Sequence, residues 1–187
     1  MKKWLLLPLF ALETASAQVG RMDINTHDLV IQKLEGVTAT LDKKLSQKVP
    51  IILRLADLYA DRARLKFMKE VEQNCDACLG SKDDRLKAVN HYLSIMNYIE
   101  GDVQAQALIQ TAHIYKLLGK INEALKLYRS VAEARGKSYS PVMVGTALGG
   151  MGETYFQLGN FKKSKIYLQK ALAIGETPQP GFLMYRL

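Results

Sequence analysis

Apolar residues in this chain recur at intervals of three and four and never alternate over a useful length, so the pattern predicts helices throughout and no strand. The first stripe follows a cap-like Asn25-Thr26-His27-Asp28 and runs through Val30, Leu34, Val37, Leu41, Leu45 and Val49. It predicts one helix within an N-terminal segment, 18–49, that serves either as a cap or as a short coiled coil able to self-associate through residues 27–49. Gly36, Thr38 and Thr40 weaken that helix in isolation. A second stripe, Ile52, Ala56 and Tyr59, keeps its period through Arg62–Val71 and predicts an unusually long helix. Ser81-Lys82-Asp83-Asp84 then reads as a serine-capped start for a helix carrying Ala88, Tyr92 and Ile95, with Gly101 ending it. These features delimit an irregular hairpin, 50–101.

Downstream the pattern becomes a repeat. Leu108, Ala112, Tyr115, Gly119, Ala124 and Tyr128 are matched forty positions later by Leu148, Gly152, Tyr155, Gly159, Ser164 and Leu168. The spacing describes two helices packed in one fixed way: small residues at the crossing, a tyrosine beside it, and a left-handed glycine ending the first helix. Two units follow, 102–141 and 142–177. Gly145, Gly149, Gly150 and Gly152 fall inside a first helix, where each costs roughly 1 kcal/mol against alanine. Close helix approach or room for a ligand are the two reasons to keep them.

This grammar resembles the tetratricopeptide repeat, whose unit is about 34 residues; the excess fits an enlarged turn around Arg135–Pro141. The resemblance implies an all-α fold, antiparallel helical hairpins stacked as a short right-handed superhelical solenoid. It also implies a groove lined by the first helices that receives a peptide or partner helix. Carried over by position, the groove candidates are Arg54, Asp57 and Asp61, then Gln106, Gln110, His113 and Lys116, then Glu153, Phe156 and Gln157. The carboxylate clamp of the family's chaperone-binding members is not matched, because Gln106, Ile109, Gln110 and His113 and, in the next unit, Thr146, Gly149, Gly150 and Glu153 stand at those places.

The N-terminus departs from the helical pattern. Lys2-Lys3, the apolar run Trp4–Leu12 and Ala15-Ser16-Ala17 read as a cleavable secretory signal, residues 1–17, too short to span a bilayer. The expected location is the bacterial periplasm, and the expected partner another envelope protein or peptide. The chain carries 26 basic and 18 acidic residues, net +8; loss of Lys2, Lys3 and Glu13 with the signal leaves +7. Most of that charge falls on helix faces opposite apolar residues, with an anionic cell-wall polymer as the sharper alternative. Export argues against nucleic acid, and no later stretch is apolar enough to cross a membrane. At the other end, 178–187 reads as the start of a further helix that stops before its hairpin closes.

Chemistry is sparse. Cys75 and Cys78 are the only cysteines, and in an oxidising compartment they predict a local disulfide, which requires a helix break near Asn74. A redox dithiol or a metal site is the alternative; Leu79 excludes haem attachment, and no local spacing supplies further zinc ligands. The glycines lack a following Gly-Lys-Ser/Thr, and there is neither a Gly-x-Ser-x-Gly elbow nor a His-Glu-x-x-His motif. The sequence therefore predicts a binding scaffold with no cofactor and no catalytic residues.

Overall fold

A computed structural model describes residues 22–41, 44–75, 78–134 and 139–175. The expected signal, 1–17, part of the enlarged turn, 135–138, and the terminal segment, 178–187, lie outside them. Among the described residues there are seven α-helices and no strand: α1 (Ile24–Thr40), α2 (Leu45–Glu72), α3 (Gly80–Ile95), α4 (Gly101–Leu117), α5 (Ile121–Ala132), α6 (Pro141–Gln157) and α7 (Phe161–Ile174). A 3₁₀ turn, Met96–Tyr98, follows α3. No described helix is long and apolar enough to cross a membrane.

The stripe expected on a single helix is divided. α1 stops at Thr40, where Leu41 turns extended (ψ 107°), and α2 begins at Leu45. The hydroxyls of Thr38 and Thr40 donate back to the carbonyls of Leu34 (2.7 Å) and Gly36 (3.0 Å), a competition that weakens a helix end already carrying glycine and β-branched residues. Lys48 Nζ reaches back to the Thr38 carbonyl at 2.9 Å and satisfies one of the orphaned acceptors. The chain then doubles back antiparallel, and Ile31 of α1 and Val49 of α2 are buried in one cluster. The expected boundary at residue 50 thus falls several residues earlier, and Ile31 and Val49 pack within the chain while Val37 and Leu45 of the stripe stay exposed. Asp23, not the Asn25–Asp28 group, caps α1, accepting from the Thr26 amide at 2.7 Å.

α2 continues past Tyr59 for 28 residues in all, as the period through Arg62–Val71 requires. Asn74 ends it in the left-handed region (φ 48°). Ser81 does not cap α3. Leu79 occupies that position, and the Glu70 carboxylate of α2 instead accepts from both the Ser81 amide (2.9 Å) and its hydroxyl. A carboxylate from a neighbouring helix satisfies the same orphan donor and also complements the positive end of the helix. Gly101, expected to close the preceding helix, opens α4 with φ 57°, because α3 has already ended in the 3₁₀ turn.

In the two regular hairpins the glycines do what their spacing predicts. Gly119 and Gly159 adopt φ 74° and 71°. In each, the residue after glycine donates to the tyrosine carbonyl, Lys120 to Tyr115 (2.8 Å) and Asn160 to Tyr155 (2.9 Å), while the glycine amide bonds to Lys116 (3.1 Å) or Phe156 (2.9 Å). This double bond pattern is the Schellman motif, made twice in register. The small residues Ala112, Ala124, Gly152 and Ser164 are all buried at the crossings.

α4 joins two cores. Ala107 and Ile114 face the N-terminal cluster of Leu55, Leu58, Tyr59, Tyr92 and Ile95. Ala105, Ile109 and Ala112 face a second cluster with Tyr128, Val131, Met151 and Tyr155. α4 and α6 lie side by side, as do α5 and α6, so the hairpins stack as an all-α helical repeat solenoid.

Candidate functional site

The face shared by α4 and α6 is built from two neighbouring first helices. Lys116, in the last turn of α4, reaches Glu153 of α6 with Nζ 3.0 Å from Oε2, and its side chain is largely buried. His113, one turn before Lys116, lies half-buried with its ring edge-on to Tyr128, centroids 5.4 Å apart. Burial, with the Lys116 charge adding to it and Glu153 opposing, holds the His113 pKa down at about 4. At neutral pH the ring is therefore an uncharged donor and acceptor beside one ion pair. Phe156 packs edge-on against Phe161, 5.4 Å between centroids, while Gln106 and Gln157 are exposed and Gln110 is half-buried.

Two of the α6 glycines, Gly150 and Gly152, face side chains of α5 and α7. A Cβ on Gly150 would come within 2.5 Å of the Tyr128 ring, and one on Gly152 within 2.6 Å of Leu168. Close approach, not space for a ligand, is what these positions need. The Tyr128 hydroxyl is buried there without a hydrogen-bond partner, and burial, reinforced by the Glu153 charge, raises its pKa.

The three candidates on α2 belong to different surroundings. Asp57 accepts from the Tyr92 hydroxyl of α3 at 2.6 Å, whereas Arg54 and Asp61 are exposed. α4 packs on the N-terminal module chiefly through α3, so the residues of α2 do not extend the α4–α6 strip as equal members. His113, Lys116 and Glu153 are brought together; Arg54, Asp57 and Asp61 stand apart from them.

A polar knot in the N-terminal module has no counterpart in the sequence reading. Arg62, only 8% exposed, holds Asp84 with Nε and Nη2, each bond 2.7 Å, and Nη1 pairs with Asp28 of α1. Lys66 adds a second cation, 3.0 Å from Asp84. Burial pushes the Asp84 pKa up, but the hydrogen bonds and charges of Arg62 and Lys66 outweigh it and hold it below the ordinary value. The Tyr59 hydroxyl donates to Glu35, and its ring stacks on His91 at 5.5 Å. The helical register of Asp28, Arg62 and Asp84 offered no signal of this, since a charge inside a periodic stripe looks the same whether paired or wetted. Its place is to bind α1 to the α2–α3 hairpin.

Beyond this knot the α2–α3 connection ends in the cysteine pair. Cys75 and Cys78 Sγ atoms stand at bonding distance, 1.97 Å, with Cα atoms 5.5 Å apart, so the two form a disulfide. Among the described residues no group of three or more His, Cys, Asp or Glu could hold a metal ion.

Stacked antiparallel hairpins with duplicated Schellman ends and a shared first-helix face define a helical-repeat scaffold. The repeats have a family: residues 103–177, covering α4 to α7, match the tetratricopeptide repeat, so this part of the chain is built from tetratricopeptide repeats. No curated protein matches the chain. The family is typically non-catalytic and binds protein partners.

Proposed function

We propose that this chain is an exported, non-catalytic scaffold that binds an envelope protein or peptide across the α4–α6 face, in the bacterial periplasm. The observation that carries the groove reading is the Lys116–Glu153 pair with neutral His113 beside it. It offers fixed polar partners to a peptide backbone, flanked by exposed Gln106 and Gln157. Export rests on the secretory pattern of residues 1–17, and the disulfide accords with an oxidising compartment. Envelope extract passed over the immobilised wild-type chain and over a Gln106→Arg/His113→Glu variant is the test. Capture of a discrete protein by the wild type and its loss in a variant that still folds supports the reading; equal capture by both refutes the groove. Fractionation of cells making the chain with and without residues 2–17 tests the location.

A further inference from the structure

The surface at the disulfide end of the α2–α3 hairpin carries exposed apolar side chains. Phe67 and Val71, one turn apart on α2, are 46% and 58% exposed, and Leu79, directly after Cys78, is 57% exposed. They line a cleft of about 400 Å³ together with the disulfide, Lys82 and Arg85. The bridge ties Cys78, the neighbour of Leu79, to Cys75 beyond the end of α2, and the three apolar groups line the hollow. Among the described lining residues the charge leans positive, Lys82 and Arg85 against Glu70. Glu70, the carboxylate lining the cleft, is occupied by the Ser81 amide and hydroxyl, whose hydrogen bonds hold its pKa below the ordinary value. Arg85 lies over the Phe67 ring at 4.9 Å and feels the Glu70 charge, and among the described residues neither it nor Lys82 has a carboxylate within ion-pair distance.

We propose that this cleft is a second docking site, separate from the α4–α6 face, for a protein segment bearing an apolar side chain flanked by Asp or Glu. The apolar side chain enters between Phe67, Val71 and Leu79, and the acidic flank meets Lys82 and Arg85. Concavity favours a protein segment over a membrane, because a hollow with walls receives a single side chain, whereas a lipid surface meets protruding apolar groups. Among the described lining residues two cations stand against one carboxylate, itself hydrogen-bonded to Ser81, and this excess sets the sign of the partner.

The test uses the full chain and a displayed library of random twelve-residue peptides. Enriched peptides are expected to place Leu, Phe or Met next to Asp or Glu. Their affinity, read by fluorescence anisotropy, should fall at least tenfold in Phe67→Ala and in Arg85→Glu and stay within twofold in Lys116→Ala. Phe67→Ala removes a half-exposed ring, and an unchanged circular dichroism spectrum confirms that the variant is folded. Absence of enrichment, enrichment without acidic residues, or affinity indifferent to Phe67 and Arg85 overturns the proposal. Two further outcomes overturn it: Phe67-dependent binding to vesicles containing phosphatidylglycerol, which assigns the surface to a membrane, or a Phe67-dependent dimer in sedimentation equilibrium, which assigns it to a second copy. Failure of the α4–α6 reading leaves these readouts unaffected, because Lys116→Ala reports on that face alone.

Discussion

Replacing Gly150 by alanine sets two effects of opposite sign against each other on one residue. Alanine in a helix interior gains about 1 kcal/mol over glycine from reduced backbone entropy in the unfolded chain. Against this, the new Cβ would lie 2.5, 2.7 and 3.0 Å from three atoms of the Tyr128 ring. To restore an ordinary contact of 3.4 Å the ring must retreat by 0.9 Å. Tyr128 is fully buried among Ala124, Val131 and Met151, so it cannot retreat without displacing α5 from α6. Overpacking of this kind costs about 1–3 kcal/mol, and with the ring held on several sides the upper half of that range applies. The net expectation is a loss of about 1–2 kcal/mol, or roughly 2–8 °C in Tm for a domain of this size. Gly36→Ala is the control. It sits in α1 with nothing within 4 Å of its Cβ, so it should stabilise by up to about 1 kcal/mol. Urea denaturation followed by circular dichroism measures both. Combining Gly150→Ala with Tyr128→Leu, the residue found at the equivalent position in the next hairpin, should be less destabilising than the two single changes added together. A Gly150→Ala variant as stable as Gly36→Ala would refute the close-approach account of the seam.

Other outcomes follow from the same contacts. Asp84→Ala leaves Arg62 buried with a single exposed partner, Asp28, and should cost about 3–5 kcal/mol in urea denaturation, whereas Asp28→Ala should cost under about 1 kcal/mol. His113 has a folded pKa of about 4 against 6.5, so between these values the unfolded chain binds the extra proton. Its contribution is intact above pH 6.5 and shrinks as pH falls towards 4, by about 1–3 kcal/mol given its partial exposure; His113→Gln should flatten that part of the stability-pH curve. Asp84, with its pKa depressed, adds a loss of stability at lower pH still, as acid titrates it through its folded value. The disulfide closes a loop with a sequence separation of only 3, so Cys75→Ser/Cys78→Ser should lower global stability by no more than about 2 kcal/mol, while hydrogen exchange quickens at the start of α3.

Sequence alone determined the elements whose signal is local. The forty-residue register located both regular hairpins, and the left-handed glycines were readable because a single residue type at a fixed distance from a tyrosine fulfils a backbone requirement. The break near Asn74 followed likewise from the two cysteines, since an unbroken helix presents their sulfurs poorly for bonding. Tertiary structure decided everything that depended on which faces meet. The stripe from Val30 to Val49 has nearly the same period whether it forms one helix or two halves of a hairpin, and only the packing of Ile31 and Val49 into a shared cluster selects the hairpin. Ser81 has the composition of a cap, yet Glu70 stands eleven residues earlier on another helix and takes its place. The groove candidates all came from one positional rule, but His113, Lys116 and Glu153 were gathered by the stacking of α4 on α6 while Asp57 was drawn to Tyr92. Periodicity records how often a side chain faces inward; the partner it finds there is set by helices far away in the chain.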